Sequence, residues 1–368
     1  CRAWPPARSA RVSNGAYRVQ ADAPVAAYQF NPLRFERFDA EGHRYASYTN
    51  DASLLLSARA LTQRYLVTTV AQWQPPTQRT PDNAFGGFVA VTAVSDGSTD
   101  VTVRLPAGHG VTEAQDDVVR SLALAQGDVA LFVGSAEGDL SGAIVEASAP
   151  VAVFAGHDCA QVPLGRAACD HLEEQLLPME ALGREHVVSA LRERSTASLV
   201  RVVSPYDTTL RFEPSALHPA VELHAREVFQ LTTSLSFRVS ATRPVAVTQF
   251  MFGQGASADQ NGDPAMAQEV PAQQYRDRYD FLTPDTYTHN YLGLVVPRGA
   301  HVRLDGAPLD LPAETVGPWD VLHTPVTPGH HSLRTDEGVP FGLKVYGTAQ
   351  YTSYMAPGGL DLRLLPPG

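Results

Sequence analysis

The stretch PVAVFAG at residues 150–156 is a proline followed by a short apolar run, and this plan occurs four times in the chain. The other copies are PVAAYQF at 24–30, PVAVTQF at 244–250 and PFGLKVY at 340–346. Proline suits the first position of a β-strand, where its missing N–H costs no hydrogen bond of the ladder. The apolar run that follows is typical of a strand buried in a sandwich core. The repeats therefore predict a β-protein built from related units.

Two further elements recur between these strands. The first is LLSARALTQRY at 55–65, LLPMEALGREH at 176–186 and EVPAQQYRDRY at 269–279. The second is a strand, a polar turn and a strand, at 87–106, 198–214 and 291–306. Alternation of apolar and polar residues across such a turn indicates an antiparallel hairpin. Each unit is about 100 residues long, which is the size of a small β-sandwich.

We therefore predict an all-β fold of tandem antiparallel β-sandwich-like repeats, about three units, with little helix. The helix is limited to a turn or two near 112–120 and 170–184. The predicted parts are a loose N-terminal segment at 1–16, β-sandwich units at 17–160, 161–255 and 256–355, and a C-terminal tail at 356–368.

The composition restricts the classes of partner. The chain has 28 basic and 39 acidic residues, a net charge of −11, which argues against nucleic acid or an anionic membrane as the partner. No apolar run approaches the length of a membrane span. Lys344 is the only lysine, and all other basic residues are arginine. Cys1 is either the acylated first residue of a lipoprotein or the start of a fragment.

Sequence signatures of catalysis are absent from the chain. It has no GxSxG, HExxH or GxxxxGK[ST] segment, and no GxGxxG after a predicted strand. We predict neither an enzymatic activity nor a cofactor.

The string FAGHDCAQVPLGRAACDHLEEQLLPMEALGREHVV at 154–188 resembles the signature of the IgGFc-binding protein N-terminal domain family. The segments at 16–33, 50–56 and 345–359 are similar as well. The chain departs from the family pattern at Ser57 and Thr62, and at Tyr275-Arg276. The resemblance implies an extracellular, β-rich, non-enzymatic region, and the arginine bias favours a bacterial member. We do not transfer the Fc ligand from the family name.

Cys159 and Cys169 lie in HDCAQVPLGRAACDH, and we predict that they form a disulfide worth about 2–3 kcal/mol. Two alternatives use the flanking His157 and His171. A Cys₂His₂ zinc set would need the short H-x-C spacing, which is below that of usual zinc sites. A thiolate nucleophile beside a histidine would need a cysteine that does not pair. With the disulfide formed, we predict that Asp170 caps a short helix over HLEEQLL.

A weak calcium candidate is DQNGD at 259–263, where Asp259, Asn261 and Asp263 follow the rhythm of a calcium loop. Pro264 stands where such a loop needs glycine, and the position of the bidentate glutamate is Val270. A polar turn is the simpler interpretation.

Three functions are compatible with these patterns. The first is a non-catalytic adhesion or recognition module, outside the cell or on its surface, that binds a glycoprotein, a polysaccharide or a surface protein. The second is a structural spacer that displays other domains. The third is a carbohydrate-active enzyme with carboxylates in a groove between units. We predict the first.

Overall fold

The computed structural model describes residues 9–31, 36–38, 41–46, 50–71, 86–106, 119–134, 138–166, 169–191 and 196–365. Cys1 and the final PPG lie outside these ranges, and so does most of the predicted helix at 112–120.

The described residues contain twenty-nine strands, most of them short. The first group is β1 Ala10–Val12, β2 Ala27–Phe30, β3 Glu36–Phe38, β4 Arg44–Ala46, β5 Ala52–Leu55, β6 Arg64–Leu66, β7 Gly87–Ala93, β8 Ser98–Arg104, β9 Val119–Ala125, β10 Val129–Val133, β11 Ile144–Ala147 and β12 Val151–Ala160. The second group is β13 Asp170–Gln175, β14 Gly183–Val188, β15 Ser198–Val203, β16 Thr208–Glu213, β17 Val221–Leu223, β18 Val228–Thr233, β19 Phe237–Met251 and β20 Ala265–Gln268. The third group is β21 Arg278–Thr283, β22 His289–Pro297, β23 Val302–Leu304, β24 Ala307–Pro308, β25 Glu314–Val316, β26 Trp319–Val326, β27 Gly329–Thr335, β28 Gly342–Ala349 and β29 Thr352–Pro357.

Strands β1 and β6 to β12 of the first group, together with β13, form a sandwich of two antiparallel sheets. One sheet has the order β1-β10-β7-β12-β13 and the other the order β6-β11-β8-β9. The alternating valines of β7, β8 and β12 are buried between the sheets, with Val91, Val103 and Val153 at no solvent exposure. The period-two pattern of the sequence therefore becomes the core of this sandwich.

The second group is organised around the fifteen-residue strand β19. Its first part pairs with β14 and β16, and its last part pairs with β15 and β20. Side chains from both parts, Val239 and Val247 among them, meet in one apolar cluster with Val202 of β15. A single long strand thus contributes to both layers of this unit.

The third group is again a two-sheet sandwich, with the orders β21-β27-β23-β24 and β25-β26-β22-β28-β29. Leu292, Leu333 and Phe341 lie in its core. Together the three groups confirm the predicted all-β, antiparallel class.

A tyrosine hydroxyl closes the same turn in two of the repeats. Tyr65 accepts a hydrogen bond from the Thr62 amide (3.1 Å) and donates to the Val151 carbonyl (2.7 Å). Tyr279 accepts from the Arg276 amide (3.1 Å) and donates to the Phe341 carbonyl (2.5 Å). Each acceptor carbonyl follows the proline that opens a repeated strand. A single-turn 3₁₀ helix precedes each tyrosine, at Ala58–Ala60 and at Ala272–Gln274. A third such helix lies at Met179–Ala181, at the equivalent place in the second repeat.

The β2–β5 hairpin packs far from its neighbours in sequence. Its residues Tyr28, Phe30 and Ala52 join the apolar core of the third group. The Tyr28 hydroxyl also donates to the carbonyl of Gly358 (2.8 Å). Strands of the predicted first unit therefore complete the last sandwich, and the unit limits stay a prediction.

The predicted short helix over HLEEQLL is wrong, although one of the helical turns predicted near 170–184 is present. Residues 170–175 form β13, which pairs antiparallel with β12, and the only helical turn there is the 3₁₀ turn at 179–181. Asp170 consequently caps no helix. All six residues of β13 are buried, so their polar side chains do not form the solvent-facing side that an amphipathic helix needs.

Candidate functional site

Cys159 and Cys169 form the predicted disulfide, with their Cα atoms 5.0 Å apart. The bond joins the end of β12 to the residue that precedes β13. It closes a loop whose base is packed, because Val162 lies in an apolar cluster with Phe250 and Phe252. The amide of Gly253 donates to the carbonyl of Val162 (2.9 Å), which ties the base to the segment after β19.

The tip of this loop is exposed. Leu164 has 64% of its surface accessible. The amide of Gly165 donates to the Gln161 side-chain oxygen (3.0 Å), and the amide of Arg166 donates to the Pro163 carbonyl (3.2 Å). We call the exposed residues Leu164, Gly165 and Arg166 the loop tip.

His157 is fully buried and its Nδ1 accepts a hydrogen bond from the Cys159 amide (3.1 Å). Burial, together with the nearby His171, lowers its pKa to about 3, so the ring is neutral. The ring of His171 stacks on Phe88, and its Nε2 lies 3.5 Å from a Glu173 carboxylate oxygen. Both histidines are therefore packed inside the protein.

The disulfide removes two ligands from the alternative zinc set and the thiolate from the alternative nucleophile. In the part of the chain that the structure describes, no three His, Cys, Asp or Glu residues are arranged to hold a metal ion.

The calcium candidates lie in different environments. Asp259 is exposed and accepts a hydrogen bond from the Asn261 amide (3.3 Å). The Asn261 side chain donates to Thr348 Oγ1 (3.5 Å). Asp263 is buried, and its amide donates to Ser353 Oγ (2.9 Å). This geometry is that of a polar turn docked on the third sandwich.

A group of buried polar side chains lies where β5, β13 and β20 meet, and we call it the polar junction. Asp51 is its centre. Its carboxylate accepts hydrogen bonds from three backbone amides, those of Ala52 (2.9 Å), Glu173 (3.2 Å) and Met266 (3.0 Å). One side chain thus joins three segments that belong to different parts of the sequence.

The rest of the polar junction follows the same principle. Ser53 Oγ accepts from the Gln175 amide (2.7 Å), Gln175 Oε1 from the Leu56 amide (2.8 Å), and Gln268 Oε1 from the Leu177 amide (2.8 Å). Side chains here satisfy backbone amides that no neighbouring strand reaches. Buried amides need such partners, so the three strands can meet in the protein interior only with these side chains present.

Burial raises the pKa values of Asp51, Asp170 and Glu174 well above the usual range for carboxyl groups, because the charged form is separated from water. It also raises the pKa of Asp158 to about 7, although His171 opposes the shift. A raised carboxyl pKa often marks a catalytic acid. These groups, however, are closed off from solvent, so no substrate can reach them in this structure.

The sequence contained a partial signal for the polar junction. NDASLLL at 50–56 belongs to the family resemblance, but nothing in it gives Asp51 a role. The partners of Asp51 are 122 and 215 residues away in the chain. Only the folded structure brings them together.

The described parts of the molecule therefore combine β-sandwiches, a disulfide-closed loop with an exposed tip, and a group of buried polar side chains where three strands meet. The chain belongs to the IgGFc-binding protein family, whose sequence profile, described as "IgGFc binding protein", matches residues 51–347.

One relative is the human IgGFc-binding protein. It is 32% identical over 209 residues, which cover 56% of this chain and 4% of the human protein. The chain thus corresponds to a small fraction of that relative. No solved structure matches it. None of the helices in the described ranges has the length and apolar character needed to cross a membrane.

Replacing both Cys159 and Cys169 with serine should lower the free energy of unfolding by about 2–3 kcal/mol, because the open chain gains conformational entropy when unfolded. The fold should persist, since Val162 and Phe250 still pack at the base of the loop. Urea unfolding with and without reductant tests this. Reductant should weaken the wild type and leave the double variant unchanged. Equal stability of the two proteins would contradict the prediction.

Proposed function

We propose that this chain is a non-catalytic recognition module that acts outside the cell and binds another extracellular protein. Family membership supports the binding role, and the name of the human relative gives the Fc part of immunoglobulin G as its ligand. The disulfide also supports an extracellular setting, because such bonds persist in oxidising compartments.

The observation that carries the proposal is the loop tip. Leu164 is a large apolar side chain held in water by a loop that is covalently closed at its base. A preordered loop loses little conformational entropy on binding, so more of the contact energy is available for affinity. Arg166 beside it adds a residue type that is frequent in binding hot spots.

The packing beneath the loop supports the same role. Val162 is buried against Phe250 and Phe252, so the exposed tip stands on a packed base. Substitutions at the exposed tip can therefore change binding while the core of the protein stays intact. This separation makes the proposal directly testable.

The experiment measures binding of the purified chain to immobilised immunoglobulin G Fc and to a secreted mucin glycoprotein, with and without its glycans. We expect the chain to bind one of them, and the double variant Leu164→Ser/Arg166→Ser to bind at least about tenfold more weakly, because truncation of a hot spot costs about 2 kcal/mol. Binding that requires the glycans would identify a glycan ligand instead of a protein.

A matched control is Leu282→Ser in β21. Leu282 has 49% of its surface exposed and lies on the third sandwich, away from the loop. This variant should bind like the wild type. If the loop variant also binds like the wild type, the tip is not the binding surface. If the chain binds neither protein in the panel, the result favours the structural spacer over the recognition module.

A further inference from the structure

Lys344, the only lysine of the chain, is buried in β28. Its Nζ donates hydrogen bonds to the side-chain oxygens of Gln249 and Glu269, and it lies 3.5 Å from the Ser189 carbonyl oxygen. Gln249 is on β19, and Glu269 directly follows β20. The contact therefore connects the second and third groups of strands.

The choice of residue is informative, because every other basic position of the chain is arginine. Arginine keeps its proton in proteins, whereas a buried lysine loses its proton readily and becomes a nucleophile. A buried ion pair by itself contributes little to stability. Lysine at this one position thus suits chemistry that a guanidinium cannot perform.

Gln249 is held in one orientation. Its Nε2 donates to the Ser198 hydroxyl (2.8 Å) and to the Ser189 carbonyl (3.2 Å). Its Oε1 therefore faces Nζ of Lys344. An amine that is hydrogen-bonded to a carbonyl oxygen also lies near the carbonyl carbon. The separation is about 3–3.5 Å, from which a covalent bond can form.

We propose that Lys344 and Gln249 form an intramolecular isopeptide bond, and that Glu269 transfers the proton. The carboxylate of Glu269 takes a proton from the Lys344 ammonium group. The neutral amine then attacks Cδ of Gln249, and a new Nζ–Cδ bond forms. The Cδ–Nε2 bond breaks after Glu269 returns the proton to the departing nitrogen, and one molecule of ammonia leaves. The carboxylate of Glu269 then takes the second proton from the attacking nitrogen, so the products are the secondary amide, ammonia and a neutral Glu269. The atoms and charges balance without an oxidant or a cofactor.

The surroundings of the three residues favour this step. Burial lowers the pKa of Lys344 and raises the pKa of Glu269, so both shifts favour the neutral amine and the neutral acid. A small cavity lined by Ser189, Glu269 and Lys344 has room for about one water molecule, a size that also accommodates ammonia. Because Lys344, Gln249 and Glu269 are all buried, little water reaches the product to hydrolyse it.

The test is a mass measurement on the denatured, reduced wild-type chain. We expect a mass lower than that of the sequence by one ammonia molecule, and a branched peptide that contains Gln249 and Lys344. Lysyl endopeptidase adds an independent readout, because it cleaves after unmodified lysine. The chain that carries the isopeptide bond should resist this protease, since its one lysine is acylated.

Variants separate the roles of the residues. Glu269→Gln and Gln249→Ala should each have the full mass calculated from their sequence, because no ammonia is lost. After denaturation, the protease should cut each variant once. Gln273→Ala, at an exposed glutamine of the same region, should keep the loss of ammonia.

The wild-type result decides the proposal even if a variant fails to fold. An unaltered mass together with cleavage at Lys344 would overturn it. Loss of water, with a peptide that joins Lys344 to Glu269, would also overturn it. The mass readout is independent of ligand binding, so its failure leaves the recognition function untouched.

Discussion

Replacing Asp51 with alanine should lower the free energy of unfolding by at least about 3 kcal/mol, because three buried amides lose their acceptor at once. Each unsatisfied donor inside a protein costs about 1–3 kcal/mol. The amides of Ala52, Glu173 and Met266 belong to three strands, so no single shift of the backbone can restore all three bonds. We expect the largest effect of any single aspartate substitution in the chain.

Two comparisons make this test specific. Asp51→Asn keeps one acceptor oxygen and should lose less stability than the alanine variant. Asp310→Ala, at an exposed position, should change stability by no more than about 0.5 kcal/mol. Urea unfolding followed by fluorescence measures all three. An Asp51→Ala protein as stable as Asp310→Ala would show that the polar junction does not hold the strands together.

Gly156→Ala should lower stability by about 4 kcal/mol or prevent folding, which is at the upper end of single-residue effects. A Cβ atom at this position would lie 1.8 Å from the Leu172 carbonyl oxygen and 2.8 Å from a ring carbon of Phe88. The first obstacle is backbone and cannot rotate away. Since β12 pairs with both β7 and β13, the clash can be relieved only by separating strands.

Gly134→Ala is the matched control. A Cβ atom there has its nearest neighbour at 3.4 Å, an ordinary contact, so we expect a change below about 1 kcal/mol. Soluble yield and the urea midpoint of the two variants decide the matter. Comparable stability of both alanine variants would mean that β12 and β13 do not approach each other this closely.

The repeated PV strands could be predicted from sequence alone, because their signal is local. The apolar runs after Pro150 and Pro340 form the strands Val151–Ala160 and Gly342–Ala349, as predicted. The run after Pro244 is also a strand, but this proline lies inside the longer strand Phe237–Met251 and does not open it. The disulfide was predictable for a similar reason, since its two cysteines are 10 residues apart. Where the information is contained in one segment, the interpretation of the sequence holds.

β13 could not be predicted because its determinants are remote. Its sequence DHLEEQ is polar and is compatible with an exposed helix, but the strand is buried. The carboxylate of Glu173 accepts hydrogen bonds from the side chain of Gln29, 144 residues away. The backbone amide of Gln175 bonds to Ser53, 122 residues away. No local pattern reports such partners, and the same holds for the contacts of Lys344.

The β2–β5 hairpin has a consequence for how the chain comes to its final form during synthesis. Phe30 and Ala52 are synthesised well before Tyr354 and Phe341, which belong to the core that receives them. The hairpin therefore stays partly uncovered until those later strands have been made. A fragment that begins at residue 256 would lack the β2–β5 hairpin and would expose to water the apolar surface that this hairpin covers.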